Sequence, residues 1–118
     1  MDIHLDNDYD FYIKPGYTNM RKHARSLALM VESEMNLNPF SKAVFVFCGG
    51  RGKIIRAIVW DRNGWFEISK KLECQMTFRW PQTSREASRV VSFEQLLRLL
   101  SGEDSLRFFP VLEVSKVG

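Results

Sequence analysis

Residues 43–72, AVFVFCGGRGKIIRAIVWDRNGWFEISKKL, consist of three apolar runs separated by two glycine-containing turns. The first run, Ala43–Cys48, is continuously apolar, which is typical of a central strand buried on both faces. Further strands are predicted over Lys53–Trp60 and Trp65–Leu72, because the Asn63-Gly64 pair between them is a strong hairpin signal. The stretch therefore predicts three consecutive antiparallel strands.

Outside this stretch, the pattern predicts further extended segments. Gln75–Trp80 alternates between apolar and polar residues, so we expect it to be the fourth strand of an antiparallel meander. Asp10–Lys14 predicts a short strand that ends at the turn pair Pro15-Gly16. Pro81–Arg89 is polar and is interpreted as a loop. Leu106–Val114 is a candidate for a final strand at a sheet edge.

Two helices are predicted, one on each side of the meander in sequence. Thr18 is suited to an N-cap, and apolar residues then recur every three or four positions to about Met35, which indicates one helical face. Ser92 and Gln95 form a capping box ahead of a shorter helix that Gly102 closes. The predicted fold class is α+β, a four-stranded antiparallel meander with an N-terminal amphipathic helix and a short C-terminal helix.

Length and composition favour a single globular domain. The chain has 118 residues, of which 45% are hydrophobic and 26% charged, which excludes disordered and low-complexity classes. We expect one domain over 1–118, with an acidic lead-in (1–13), a core (16–102) and a tail (103–118). No apolar run approaches the ~20 residues of a membrane helix, and no basic, apolar leader is visible, so a cytoplasmic location without membrane contact is expected.

The net charge of +3 hides an uneven distribution. Residues 14–31 carry four bases and no acid, and residues 42–89 carry ten bases against four acids. Because basic side chains neutralise phosphates and aromatic rings can stack on bases, this mixture suggests nucleic-acid binding. The alternative is a solvated basic face over an aromatic core. The candidate nucleic-acid-binding residues are Arg21, Lys22, Arg25, Arg51, Lys53, Arg62, Lys70, Lys71 and Arg79.

The sequence offers no clear catalytic, metal or cofactor site. Gly52-Lys53 fails as a phosphate loop, because Phe47 stands where that motif needs glycine and Ile54 where it needs serine or threonine. The two histidines and two cysteines lack metal-ligand spacing, and reduced thiols are the expectation for the latter. We therefore predict a non-enzymatic protein without a cofactor.

Two aromatic residues are candidates for binding a protein partner. Trp65 shares its predicted strand face with polar residues, which makes it a candidate for an exposed ring, and Phe109 lies in the tail. Two hypotheses therefore remain open. One is a non-catalytic protein that contacts DNA, and the other is an adaptor that docks on another protein without touching DNA.

Several motifs also occur in a recognisable order. They are Gly16-Tyr17-Thr18-Asn19-Met20-Arg21-Lys22, Asn38-Pro39-Phe40-Ser41 with Val44–Phe47, the basic glycine turn, Ile58–Gly64, Lys70–Glu73 and Phe78–Pro81. Together these motifs resemble the TnpB (Orf2-like) proteins of the insertion-sequence sixty-six family, from about Gly16 to Gly102.

The resemblance implies a role in transposition. Proteins of this family are encoded beside a separate DDE-type transposase and have no established enzymatic activity. It implies an accessory protein of transposition, and we expect its partner to be the transposase of the same element. The basic residues named above lead us to expect that it contacts DNA within the transposase complex. The alternative under the same resemblance is an adaptor for the transposase. The resemblance does not indicate an oligomeric state.

Overall fold

The computed structural model describes residues 8–82 and 89–101. The elements in chain order are β1 (Asp10–Tyr17), α1 (Ala24–Glu34), β2 (Ala43–Gly49), β3 (Ile54–Asp61), β4 (Gly64–Lys71), β5 (Arg89–Val91) and α2 (Phe93–Leu100). A single 3₁₀ turn, Gly50–Gly52, connects β2 to β3. The fold is α+β, as predicted, but its sheet has five strands in the order β4-β3-β2-β1-β5.

The strands of the 43–72 stretch confirm the sequence prediction. All seven residues of β2 are buried, and β2 is the middle strand of the sheet. β2 pairs antiparallel with β3, and β3 pairs antiparallel with β4 along its whole length. The hairpin between β3 and β4 forms at the predicted place, although the positive φ falls on Arg62 (51°) rather than on Asn63.

The predicted fourth meander strand is wrong. Residues 72–82, called here the crossover segment, run across the ends of the strands instead of pairing beside β4. The Phe78 N–H donates to the Gly52 carbonyl (2.7 Å), and the Trp80 indole Nε1–H donates to the Lys14 carbonyl (2.9 Å). Phe78 and Trp80 are buried while Met76 is exposed. The alternation therefore indicated an extended segment with two buried aromatic side chains. Periodicity alone does not show whether such a segment pairs with a strand, or with which one.

The strand before α1 also differs from the prediction. β1 continues through Pro15 and Gly16 to Tyr17, with an irregular register between Ile13 and Tyr17, and it pairs in parallel with β2. Gly16 accommodates this irregularity with a φ of 82°. Because β1 and β2 are parallel, the chain must pass over one face of the sheet between them, and α1 makes this connection. The sheet is therefore mixed rather than a meander. β5, whose first residue fell in the predicted loop, pairs antiparallel with β1 at the outer edge.

The two helices are confirmed with altered bounds. α1 begins at Ala24, six residues after the predicted cap Thr18, because residues 18–22 form a loop that bonds to the sheet. It therefore follows β1 and is not the first element of the fold. α2 has the predicted capping box, with the Ser92 hydroxyl and the Gln95 side chain exchanging hydrogen bonds with each other's backbone N–H. Gly102 and the candidate strand Leu106–Val114 lie outside the described residues.

An apolar cluster fills each side of the sheet. Alternate residues of β2 point to opposite sides, so Phe45 and Phe47 pack under α1 while Val44 and Val46 pack under α2. We call these sides the α1 face and the α2 face. Phe78 and Trp80 complete the cluster on the α2 face. Within the described ranges, no helix is long and apolar enough to span a membrane.

Candidate nucleic-acid interface

Several basic residues lie at the end of the sheet where β2 passes into β3. Arg51 occupies that turn, exposed and with a φ of 59°. Lys71 is the last residue of β4 and lies opposite Ile54, the first residue of β3. Arg79 is exposed on the crossover segment, next to the residue that bonds to Gly52. The sheet topology therefore brings three predicted cations together from three separate segments.

The loop that carries Arg21 and Lys22 is fixed to β3 by Arg56. Nη1 of Arg56 donates to the backbone carbonyls of Met20 (2.7 Å) and Lys22 (2.8 Å). Its Nε donates to the hydroxyl of Ser69 on β4 (2.8 Å), and the Arg56 side chain is only 12% exposed. Arg56 therefore holds the loop backbone, and the Arg21 and Lys22 side chains project into solvent.

The same loop packs closely against the end of β2. The Thr18 N–H donates to the Cys48 carbonyl (2.7 Å). A Cβ at Gly49 would overlap the Thr18 carbonyl oxygen and the Met20 side chain, so only glycine fits there. The 18–22 loop is thus held by two strands before α1 begins.

Glu67 on β4 supplies the cap that α1 lacks locally. His23, the N-cap residue, makes no side-chain cap of its own. One Glu67 oxygen accepts the Ala24 N–H (2.8 Å), and the other lies 2.6 Å from His23 Nδ1 and 3.6 Å from Arg56 Nε. A carboxylate at a helix N-terminus satisfies a free N–H and complements the helix dipole. Glu67 thereby orients the first turn of α1, which carries the exposed Arg25.

These contacts lower the pKa of Glu67. Burial raises the pKa of this carboxyl, but the hydrogen bonds from His23 and the Ala24 N–H, with the charges of His23 and Arg56, outweigh burial. Because the folded-state pKa lies below the unfolded value, the stability that Glu67 contributes is present above the unfolded pKa and is lost as pH falls through the folded pKa.

We expect the substitution Glu67→Gln to lower the free energy of unfolding by about 1 kcal/mol at neutral pH. The variant should also lose less stability than the wild type between neutral pH and about pH 3, because glutamine has no charge to lose. Urea unfolding at several pH values measures both effects. Parallel pH profiles for the two proteins would contradict the assigned role of the Glu67 charge.

Six predicted cations are exposed on the 18–22 loop, in the first turn of α1, and on the segments at the β2–β3 end of the sheet, and we call them the basic end. Their side chains make no hydrogen bond or ion pair within residues 8–82 and 89–101. The set comprises Arg21, Lys22, Arg25, Arg51, Lys71 and Arg79. Their charges are therefore available to an anionic ligand.

The structure places the other three predicted cations differently. Lys53 Nζ donates to the backbone carbonyls of Cys74 and Met76 (2.7 Å for the latter), so it holds the crossover segment. Lys70 Nζ donates to the Leu100 carbonyl (2.6 Å) at the C-terminus of α2, where a cation complements the helix dipole. Arg62 lies in the β3–β4 hairpin, at the opposite end of the sheet, and its Nε is 3.8 Å from the Asp61 carboxylate.

The substitution Lys53→Met tests this structural role. Loss of two charge-assisted hydrogen bonds at a half-buried site should lower the free energy of unfolding by about 1–2 kcal/mol. The matched change Lys71→Met, at a lysine of the basic end, should alter stability by less than about 0.5 kcal/mol. Urea unfolding of both variants compares them, and equal losses would contradict the assignment of Lys53 to the crossover segment.

The acidic residues are distributed over several parts of the described structure. Asp10 and Asp61 lie at the other end of the sheet, and Glu34 pairs with Lys14 (3.4 Å). Glu73 is an exposed acid that follows β4 at the basic end. In the described segments, no group of three or more acidic, histidine or cysteine residues could hold a metal ion.

Neither cysteine provides a catalytic arrangement at this end. Cys48 is fully buried in β2, and burial raises the pKa of its thiol to about 12, so it stays protonated near neutral pH. Cys74 is exposed on the crossover segment and is not disulfide-bonded. The exposed charged groups described above are thus not accompanied by a reactive thiolate from Cys48.

Trp65, the predicted partner-binding residue, belongs to an aromatic cluster at the hairpin end of the sheet. Its ring centroid lies 5.0 Å from that of Trp60 and 5.5 Å from that of Phe40. Trp65 is half-buried, whereas Phe40 is 52% exposed. Phe40 was not predicted as a partner-binding residue, because it precedes β2 in a loop whose position depends on the fold. Phe109, the second predicted partner residue, lies outside the described residues.

Arg56 and Glu67 were also not identified from sequence. Arg56 did carry a usable signal, since a lone arginine inside an otherwise apolar strand usually has a specific structural partner. Glu67 offered none, because the helix end that it caps lies more than forty positions away in sequence.

Comparisons with known proteins found a matching family model and a similar protein. The family model described as IS66 Orf2-like protein matches residues 9–108. An uncharacterized protein of Sinorhizobium fredii, y4hO, is 38% identical over 93 residues, which cover 79% of each chain. No solved structure matches the chain.

Proposed function

The chain belongs to the IS66 Orf2-like family of transposition-associated accessory proteins, and we propose that it acts in transposition by contacting DNA through its basic end. The observation that carries this proposal is the grouping of six exposed cations without partners in the described structure. The ligand class follows from their chemistry, because arginine and lysine bind phosphate oxygens through charge-assisted hydrogen bonds.

The fixed backbone that carries several of these cations supports binding to a ligand with repeating negative charges. Arg56 and Glu67 fix the backbone on which Arg21, Lys22 and Arg25 stand. A fixed backbone lowers the ordering cost of binding, since only side-chain rotamers remain to be immobilised. DNA presents phosphates at regular spacing, so several cations can be neutralised by one duplex.

The proposed contacts are to the DNA backbone. Phosphate contacts set position and affinity but carry no sequence information. We therefore expect affinity to depend on salt and little on base sequence, with target selection left to the transposase of the same element. The proposed role involves no catalytic step.

Fluorescence anisotropy with two labelled duplexes of equal length and unrelated sequence tests the proposal. At low salt, both duplexes should bind with similar affinity, and an unlabelled duplex of either sequence should compete. Failure of the folded protein to bind either duplex at low salt would overturn the proposal.

A second candidate function is a protein adaptor for the transposase. The aromatic cluster favours it, because Phe40 is exposed beside Trp60 and Trp65, and exposed aromatic residues are frequent anchors of protein interfaces. Co-purification of tagged protein with the transposase after nuclease treatment tests this role. Retention that depends on Phe40, as shown by Phe40→Ser, would support the adaptor, whereas loss of the complex on nuclease treatment would overturn it.

A further inference from the structure

The outer edge of β4 is a regular strand edge without a neighbour in the described residues. β4 is at one side of the sheet, and all eight of its residues pair with β3 without a bulge. At the other side, β5 has only three residues. Long regular edge strands present unpaired N–H and C=O groups that attract another strand, and proteins protect them with bulges, proline or inward charges. β4 has neither a bulge nor a proline.

The side chains of β4 also lack the usual protection. Phe66 and Ile68 point to the α2 face and are 37% and 48% exposed. Glu67, the one acid of the strand, is engaged at the N-terminus of α1. The two lysines stand at the far end of the strand, at Lys70 and Lys71. The middle of the edge is therefore apolar and open.

We propose that a second copy of this chain covers the β4 edge, and that the two β4 strands pair antiparallel about a two-fold axis. In such a pair, one residue lies directly opposite its own copy. If nearly all of Gly64–Lys71 is to pair, this residue must be near the middle of the strand, which leaves Glu67 or Ile68. Centring on Glu67 opposes two carboxylates, which is unfavourable. The register is therefore centred on Ile68.

The side chains that this register places opposite one another support it, because lysines of one copy face aromatic residues of the other. It places Trp65 opposite Lys71 of the second copy on the α1 face, and Phe66 opposite Lys70 of the second copy on the α2 face. The Lys71 stem can then pack on the Trp65 ring with cation–π contact, while Lys70 keeps its hydrogen bond to the Leu100 carbonyl of its own chain. The lysines of the two copies stay well apart. The two five-stranded sheets would form one continuous sheet of ten strands.

The observations that support the dimer do not depend on DNA binding. A dimer would nevertheless determine how the basic ends are placed for contact with DNA. A two-fold axis perpendicular to the sheet puts the two basic ends at opposite ends of the joined sheet. Both α1 helices then lie on the same face, so a dimer offers two separated DNA contacts. Since Lys71 belongs to both proposals, the tests below change only Phe66, Ile68 and control positions.

Sedimentation equilibrium of the full chain across a concentration series tests dimerisation. The substitution Ile68→Lys opposes two ammonium groups at the axis and should weaken the dimer roughly tenfold or more. The control Leu29→Lys replaces an exposed apolar side chain of α1 (60% exposed, against 48% for Ile68) and should leave the dimer unchanged. A wild-type chain that is monomeric throughout, or a dimer insensitive to Ile68→Lys, would overturn the proposal.

Disulfide trapping tests the register in a Cys74→Ser background. Directly opposed residues have Cα atoms about 4.5–5.5 Å apart, within disulfide reach. Ile68→Cys should therefore form a covalent dimer on mild oxidation. Phe66→Cys should not, because the two copies of residue 66 would be about 13 Å apart. Crosslinking of Phe66→Cys instead would overturn the register, and slow amide exchange of β4 in a monomer would assign the edge to another part of the same chain.

Discussion

Replacement of Arg56 with methionine is expected to lower the free energy of unfolding by about 3 kcal/mol. The guanidinium is 12% exposed and donates to the carbonyls of Met20 and Lys22 and to the Ser69 hydroxyl. Methionine fills much of the volume but donates nothing, so two carbonyls lose their partner and the Glu67 carboxylate loses a nearby positive charge. The loss is large because it removes a partly buried network rather than a single surface contact.

Urea unfolding followed by tryptophan fluorescence measures this effect, with Arg79→Met as the matched control. Arg79 is an exposed arginine whose side chain makes no hydrogen bond or ion pair within the described residues, so its replacement should change stability by less than about 0.5 kcal/mol. Similar small losses for both variants would contradict the assignment of Arg56 as the fixing point of the 18–22 loop.

The double substitution Arg21→Glu and Lys22→Glu is expected to reduce affinity for duplex DNA roughly 100-fold at low salt. Each change removes one of the proposed phosphate contacts and adds repulsion at the same place. Stability should change little, because both side chains are exposed and only their backbone groups bond to Asn19 and Arg56. Anisotropy titrations with a labelled duplex measure the affinity, and urea unfolding verifies the fold.

The control for this prediction makes the same charge change at the opposite end of the sheet. Lys42 and Arg62 are exposed there, so Lys42→Glu with Arg62→Glu alters the net charge equally. It should reduce affinity by no more than about threefold, through the long-range field alone. An equal loss in both double variants would show that net charge, and not the basic end, governs binding.

Much of the fold could be predicted where a local pattern determines a local structure. The continuous apolar run Ala43–Cys48 predicts the central strand, and the Asn63-Gly64 pair predicts the hairpin. Ser92 and Gln95 predict the start of α2, because a capping box is closed within three residues. Each of these signals needs only its own neighbours, and the structure confirms all of them.

The remaining errors concern pairing partners over long sequence distances. Phe78 and Trp80 show their alternation in the sequence, but the sequence does not show that they anchor a segment crossing the strand ends. The start of α1 was placed too early, because the bonds from Arg56 that hold residues 20–22 in a loop come from more than thirty positions away. Local helix periodicity cannot detect such a competing partner.

For the candidate site, too, the sequence predicted what depends on single residues and not what depends on distant partners. Charge counting identified the six cations of the basic end, since exposure is the usual state of arginine and lysine. It could not separate them from Lys53 and Lys70, whose carbonyl partners depend on the path of the crossover segment and on the end of α2. Nor could it place Arg62 at the other end of the sheet, which requires the strand order.

The salt dependence of DNA affinity tests the central claim most directly. If four to six cations of the basic end each neutralise a phosphate, the logarithm of the association constant should fall with the logarithm of salt concentration with a slope of about −4 to −5. The Arg21→Glu and Lys22→Glu variant should give a slope shallower by about 2. A wild-type slope near zero, or the same slope for both proteins, would contradict DNA binding through the basic end.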